Sequence, residues 1–333
     1  MRHLDFLAVV SRPDFPSGTG PIGDNFGLHR LLATHPSWRS AILELNSQPT
    51  DVQWSPSHFV ISQQGIEPFD LTDVGVVLFL PICLEVEETL LCPIVADQPW
   101  PRFAQEQWRP VTAYFEDRLS RQHCLNRPDR VRVANNKLLQ FDLLRSAGFA
   151  PPHTDVGNRW PDDGVTMRVA KNLSEGGWKS ATEFSPARLA RDTDPIDPWP
   201  VIWQEPIVSD RELRIYVMGD DVTAVELTRE RGTIDVREAN GGRPSARSAA
   251  ISDTWADRSR RITRALGLDY AVIDAIPVGE ELHLLEVNAN GVWWFLPAEV
   301  AAILEARFHA WLVREVERDK PRTSASNAPP AGF

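Results

Sequence analysis

Cysteine is scarce in this 333-residue chain: Cys83, Cys92 and Cys124 give neither a disulfide framework nor a paired metal-ligand spacing. An odd count without a visible leader points to reduced thiols. No apolar run approaches the ~18 residues of a membrane span. The opening "MRHLDFLAVV" also lacks a long apolar region and a small-residue cleavage site. The expectation is a cytoplasmic protein with no membrane partner. Basic excess is missing too, since the net charge is −11, and nucleic-acid binding needs basic clusters that track phosphates. That balance leaves a cationic or neutral peptide partner open. The Gly/Pro-rich "PDFPSGTGPIGDNFG" lacks the spacing and the lysine of a P-loop and reads as a surface loop. G-x-S-x-G is absent, and the eight histidines are scattered. His283, beside an acidic strand, reads as structural rather than as a base.

What is present is an ordinary globular composition, 42% hydrophobic and 24% charged, with twelve tryptophans and enough length for two or three packed lobes. Over residues 1–120 the β-like runs "FLAVV", "SAILEL", "HFVIS" and "VGVVLFLP" mix with a helical "GLHRLLATH", an α/β lobe. Helical spacing returns at 102–122, where Pro110 should kink or divide the helix. Residues 121–200 form a small central lobe. It holds the helix "NNKLLQFDLLRSAGF", with Gly148 at its C-terminal cap, then the strand "VTMRVAKN" and the small-residue loop "SEGGWKS". Over 201–318, "VIWQEPI", "ELRIYVMGD", "DVTAVELT", "YAVIDAIPV" and "LHLLEVN" read as strands of a mostly antiparallel sheet. The helix "TWADRSRRITRALGL" packs on that sheet. Residues 319–333 lack core-forming side chains and read as a disordered tail.

Chemistry concentrates in the last two lobes. Asp274 lies in one strand; Glu286 and Asn288 lie two apart in the next and therefore share a face. Their oxygens suit Mg²⁺, or else they line the solvent face of an amphipathic hairpin. Lys137 starts a helix, and Lys171 ends a strand before the Ser174, Gly176, Gly177 loop. A lysine beside free backbone N–H groups is a phosphate clamp in outline. Gln204-Glu205-Pro206-Ile207 can present backbone groups to an adenine edge, Glu212 can take ribose hydroxyls, and Arg214 shares its strand face. A planar guanidinium there matches phosphoryl oxygens. Trp293 and Trp294 alternate faces if their strand continues, one in the core and the other toward the site or a peptide.

In order, "NNKLLQ…AGFAPPHT", "VAKNLSEGGW", "WQEPIVSDRELRIYV", "LGLDYAVIDAIP" and "LEVNANGVWW" resemble the successive motifs of the ATP-grasp superfamily over about residues 125–300. The resemblance implies ATP as cofactor. Lys137 and Lys171 would then lie on its phosphates and adenine side, Glu205 and Ile207 would meet adenine through the backbone, and Glu212 would hold ribose. Asp274, Glu286 and Asn288 would hold one or two Mg²⁺. Within the superfamily, "NKLLQFDLLRSAGFAPPHT" and "EVNANGVWWF" are similar to the graspetide (microviridin-type) synthetases, which join Asp or Glu side chains of a ribosomal precursor peptide to its own Ser, Thr or Lys. Their end motif, Glu-Val-Asn-Pro-Asn-Gly then Gln-Trp, has Ala289 and Val292 as departures here. Their Ser-containing strand followed by Asp-Trp-Arg has Thr228 and Val236 as substitutions, with Arg237 kept. Arg237 and Asn240 also fit the glutamate-adding and glutathione-synthetase-like ligases.

The implied fold is α/β, an ATP-grasp arrangement behind an N-terminal α/β lobe. The implied activity is carboxylate-amine or carboxylate-alcohol ligation through an acyl phosphate, with Arg214 and Arg237 stabilising developing charge. The implied partner is a precursor peptide with leader and core. The alternatives are a ligase that adds a free amino acid, and a nucleotide-binding regulatory module without ligation. A homodimer is left open. Residues 237–252 are expected to order only around an acidic substrate or nucleotide.

Overall fold

The computed structural model describes residues 3–11, 26–45, 50–81, 101–149, 151–173, 178–179, 184–185, 187–194, 198–229 and 245–319. Short aliphatic runs build the first lobe: β1 (Leu4–Ser11), β2 (Ser40–Leu45) and β6 (Val74–Leu80) join β7 (His123–Leu125) in a parallel sheet of order β2-β1-β6-β7. A parallel sheet is covered on both faces, which is why "FLAVV" is apolar throughout instead of alternating. Between β2 and β6 a second, antiparallel sheet is inserted: β3 (Thr50–Ser55), β4 (His58–Gln63) and β5 (Ile66–Asp70). One face of the parallel sheet packs on Phe115 and Leu119 of α2 (Pro101–Ser120), which runs through Pro110 as one helix. The other face packs on α1 (Leu28–Thr34) and α6 (Ala298–Asp319).

The helices α3 (Pro128–Asn135) and α4 (Lys137–Ser146) lead into a small antiparallel sheet. Its strands are β8 (Thr154–Gly157), β9 (Met167–Lys171), β12 (Ala187–Arg191) and β13 (Val201–Gln204), in the order β12-β9-β13-β8, with a two-residue hairpin of β10 (Trp178–Lys179) and β11 (Phe184–Ser185) beside them. The C-terminal sheet is antiparallel in the order β16-β15-β14-β17-β18: β14 (Arg211–Met218), β15 (Asp221–Thr228), β16 (Ala246–Ala249), β17 (Tyr270–Val278) and β18 (Glu281–Asn288). Against it lies α5 (Asp253–Ala265), whose first turn is capped by the Ser252 hydroxyl accepting from the Trp255 N–H.

Two sheets run across the lobe bounds expected from the sequence. β7 hydrogen-bonds to β6, so the first sheet ends at 125 and not at 120. β13 is bonded on both sides, to β8 and β9, and all four of its residues are buried, so the central sheet continues to Gln204 rather than stopping at 200. Within 237–252, residues Ala246–Ala249 are not a loop. They form the edge strand β16, which pairs with the β15 backbone on the side that β14 leaves free. The disordered-tail expectation lies outside the described residues except for Asp319, the last residue of α6.

Candidate active site

β14 places Glu212, Arg214 and Tyr216 on one face at a spacing of two. Across the ladder Arg214 faces Asp274 of β17, and Asp274 faces Glu286 of β18. The ladder slips at this point: Asp274 pairs with Glu286 but Ala275 pairs with Leu284, so Leu285 is extra. The bulge lets Leu284 and Val287 both reach the core while Glu286 and Asn288 turn to the opposite face.

Four side chains interlock there. The Arg214 guanidinium lies 3.3 Å from the buried Asp274 carboxylate. The Asn288 amide donates to Asp274 at 3.0 Å and to Glu286 at 3.1 Å. Lys137, the first residue of α4, donates to Glu286 at 2.6 Å. Its helix starts under an Asn136 cap that accepts from the Leu138 and Leu139 N–H groups. Burial favours the neutral Glu286 carboxyl, but Lys137 by charge and hydrogen bond, and Lys171 by charge, hold it well below the usual carboxylate range. Burial disfavours the charged Arg214, but Asp274 together with Tyr216, Tyr270 and Glu286 outweighs that and raises its pKa. Tyr216, buried beside it, is pushed up to about 12 by burial.

Opposite stands the central sheet. Register places Val169, Lys171, Ile202 and Gln204 on one of its faces, and Ile202 joins the core of β14 and β17. Gln204 is buried and donates to the Thr154 hydroxyl at 3.1 Å. The Glu205 N–H donates to the His153 carbonyl, while its side chain is exposed. Ile207 is half-buried in the segment leading to β14, and Glu212 is buried. Ser174, Gly176, Gly177, Arg237 and Asn240 lie outside the described residues, as do Cys83 and Cys92. Cys124 is a buried free thiol whose pKa burial raises.

The segment after β18 is not a continuing strand, and it is pinned throughout. Asn290 donates to the Pro81 carbonyl, the Tyr270 hydroxyl to the Gly291 carbonyl, and Tyr216 to the Val292 carbonyl. Trp293 sits in the core among Phe26, Tyr216 and Phe308, whereas Trp294 is 43% exposed. Phe295 lies under Arg214, its ring centre 5.1 Å from the guanidinium carbon. His283 is half-buried, 4.0 Å from Glu281.

Sequence reasoning missed Tyr216, Tyr270, Phe295 and Gln140. Tyr216 was within reach, being two residues beyond Arg214 on a strand. Phe295 had no such signal, since its place depends on the turn after Asn288.

The site's chemistry fits a magnesium nucleotide. Three cations, Lys137, Lys171 and Arg214, stand around the Asp274 and Glu286 carboxylates, so positive groups are at hand for phosphate oxygens beside the carboxylates that suit a cation. Asn288 points its N–H groups at both carboxylates, the place a cation would take. Turning the amide over would offer a third oxygen. Among the described residues nothing accepts from the buried Arg214 Nε.

The macrocyclase MdnC of Microcystis aeruginosa MRC, bound with precursor peptide MdnA, superposes with a TM-score of 0.69 at 17% identity, covering 92% of this chain and 99% of that one. The ATP-grasp ligase PsnB, complexed with minimal precursor, Mg and ADP, gives a TM-score of 0.63 at 19% identity, covering 93% and 98%. The chain has the ATP-grasp fold. A probable alpha-L-glutamate ligase of Mannheimia succiniciproducens is 28% identical over 179 residues, a match that spans 50% of this chain and only 59% of that relative. No protein-family model matches the chain.

Proposed function

We propose that this ATP-grasp protein is an ATP-dependent ligase that joins a carboxylate to an alcohol or amine. Its proposed substrate is a ribosomally made precursor peptide, within which it forms side-chain ester or amide crosslinks. The observation that carries this reading is the convergence of Lys137, Lys171 and Arg214 on Asp274, Glu286 and Asn288 beside the central and C-terminal sheets. Lys137 and Lys171 would hold phosphate oxygens, and Asp274, Glu286 and Asn288 would hold Mg²⁺. Glu205 and Ile207 would meet adenine by their backbone, and Glu212 would meet ribose. Bound ATP would supply the γ-phosphoryl group that, on transfer to one oxygen of the substrate carboxylate with ADP released, makes that oxygen part of a phosphate leaving group.

Arg214 would neutralise charge on the activated carboxyl. A preorganised donor in that role contributes about 2.7–4 kcal/mol to transition-state stabilisation. Phe295 and Asp274 fix its plane, so little reorganisation is needed when charge develops. No side-chain nucleophile is required, because the incoming alcohol or amine belongs to the substrate. The peptide as partner draws support from the precursors bound to MdnC and PsnB.

A second reading, addition of a free amino acid, is favoured by the glutamate ligase relative. Intact mass of candidate peptides incubated with the protein, ATP and Mg²⁺ separates the two. Crosslinking removes one water per bond formed, whereas addition increases the mass by one amino-acid residue. Unchanged mass across precursors encoded beside the gene, with ATP hydrolysis also unstimulated, would sink both.

A further inference from the structure

β18 ends its sheet, so every second residue of it turns an N–H and a C=O away from any partner strand. At Val287 one side chain meets both groups. Gln140 lies on α4 one turn beyond Lys137 and is 1% exposed. Its Oε1 accepts from the Val287 N–H at 3.0 Å, and its Nε2 donates to the Val287 carbonyl at 2.7 Å. The same Nε2 donates to the Ala134 carbonyl. Two residues further, Asn126 Nδ2 donates to the Ala289 carbonyl at 2.6 Å. Side-chain amides thus make the rungs that a neighbouring strand would have made.

Val287 separates Glu286 from Asn288. Its N–H belongs to the peptide plane shared with Glu286, and its carbonyl to the plane shared with Asn288. Holding both planes therefore sets the direction of both functional side chains. The need is acute here because the bulge at Leu285 loosens the pairing on the inner edge, and a one-residue slip would turn Glu286 and Asn288 to the core face. An apolar residue at 140, as in the neighbouring Phe141 and Leu144 of the buried face, would leave two buried backbone groups of Val287 without partners.

We propose that Gln140 is a positioning residue. By gripping Val287 it fixes the facing of Glu286 and Asn288, and by sharing α4 with Lys137 it ties that facing to the Lys137–Glu286 ion pair. The inference rests on reading this edge as a magnesium–nucleotide site.

The test compares the full chain with Gln140→Met, which keeps length and loses the hydrogen bonds, and with Leu144→Ala. Leu144 is fully buried on the same helix but does not bond to Val287, so it reports general loosening. ADP binding is titrated calorimetrically with Mg²⁺ and with chelator, and amide exchange is followed at Val287. Gln140→Met should lose about 10–100-fold of the magnesium-dependent gain in ADP affinity, leave metal-free ADP binding unchanged, and exchange Val287 faster. Leu144→Ala should melt at a lower temperature and keep the magnesium-dependent gain. Retention of that gain in Gln140→Met, or an equal loss in Leu144→Ala, overturns the proposal. If Gln140→Met does not fold, Gln140→Glu keeps the acceptor and loses the donor, and should show the same loss in smaller measure. A wild type without magnesium-dependent ADP binding refutes the functional reading itself, while Val287 exchange still decides whether the clamp holds.

Discussion

Glu286 is held ionised by two lysines at a place where burial alone would favour its neutral form. Glu286→Gln keeps the shape and removes that charge. It should cut substrate-stimulated ATP turnover by at least about tenfold, since weakening even an outer partner of a metal site costs that much. Undiminished turnover would refute its assignment as a ligand and favour the regulatory-module alternative. Far from the site, Asp70 shows the same physics in a purely structural role. Burial would raise its pKa, but the Thr72 backbone and hydroxyl, His58 and the Phe59 N–H lower it from 3.8 to about 2. A depressed folded pKa means that the fold favours the ionised form. The stabilisation is therefore complete above the unfolded value near 4 and is lost as pH falls through about 2. It amounts to about 2 kcal/mol at ~1.36 kcal/mol per unit. Urea unfolding of Asp70→Asn should show a flatter stability–pH curve between about pH 4 and pH 2; curves parallel to wild type would contradict this.

At the scale of elements, the segment after β18 behaves as a rigid wall of the site. A Cβ at Gly291 would come within 2.6 Å of the Val272 Cβ and 3.3 Å of the Arg214 Nη2. Gly291→Ala should therefore cost about 1–3 kcal/mol of stability, as overpacking does, and should weaken nucleotide binding by displacing Arg214. Thermal unfolding paired with ADP titration checks both, and wild-type values in the two assays would refute the close approach. The sequence made this region partly legible. Period-two alternation placed Glu286 with Asn288 and Glu212 with Arg214, whereas whether the strand continues to Trp293 and Trp294 was left open. It did not show the bulge at Leu285, which depends on how Asp274 pairs across the sheet. Nor did it show that Gln140 reaches Val287, a contact between residues 147 apart in the chain. β3, β5, β7 and β16 were missed for a related reason: they are short or half-exposed, and their hydrogen bonds come from partners that the local pattern does not name. The lobe bound was set at 200, after the proline-rich "DPIDPWP", yet β13 after it returns to the central sheet.

Across the whole molecule, the first lobe is not a detachable appendage. α6 follows the site in sequence and returns to β6, so one core joins Phe6, Ala8 and Val10 of the first sheet to Tyr216, Tyr270 and Trp293 around the site. The Asn290 bond to the Pro81 carbonyl adds a direct tie from the parallel sheet's strand ends to the segment beside Arg214. Removal of residues 1–120 should therefore leave the central and C-terminal sheets insoluble or unfolded and not simply unselective, which expression of residues 121–333 would reveal. A soluble, nucleotide-binding fragment would show the tie to be dispensable. The central claim is that Lys137, Lys171, Arg214, Asp274, Glu286 and Asn288 together hold a magnesium nucleotide. Calorimetric titration of ADP into the wild type and Glu286→Gln, each with and without Mg²⁺, addresses it most directly. The account predicts that Mg²⁺ strengthens binding to the wild type and that Glu286→Gln loses most of that gain; no nucleotide binding by the wild type, or an equal magnesium effect in both proteins, would contradict it.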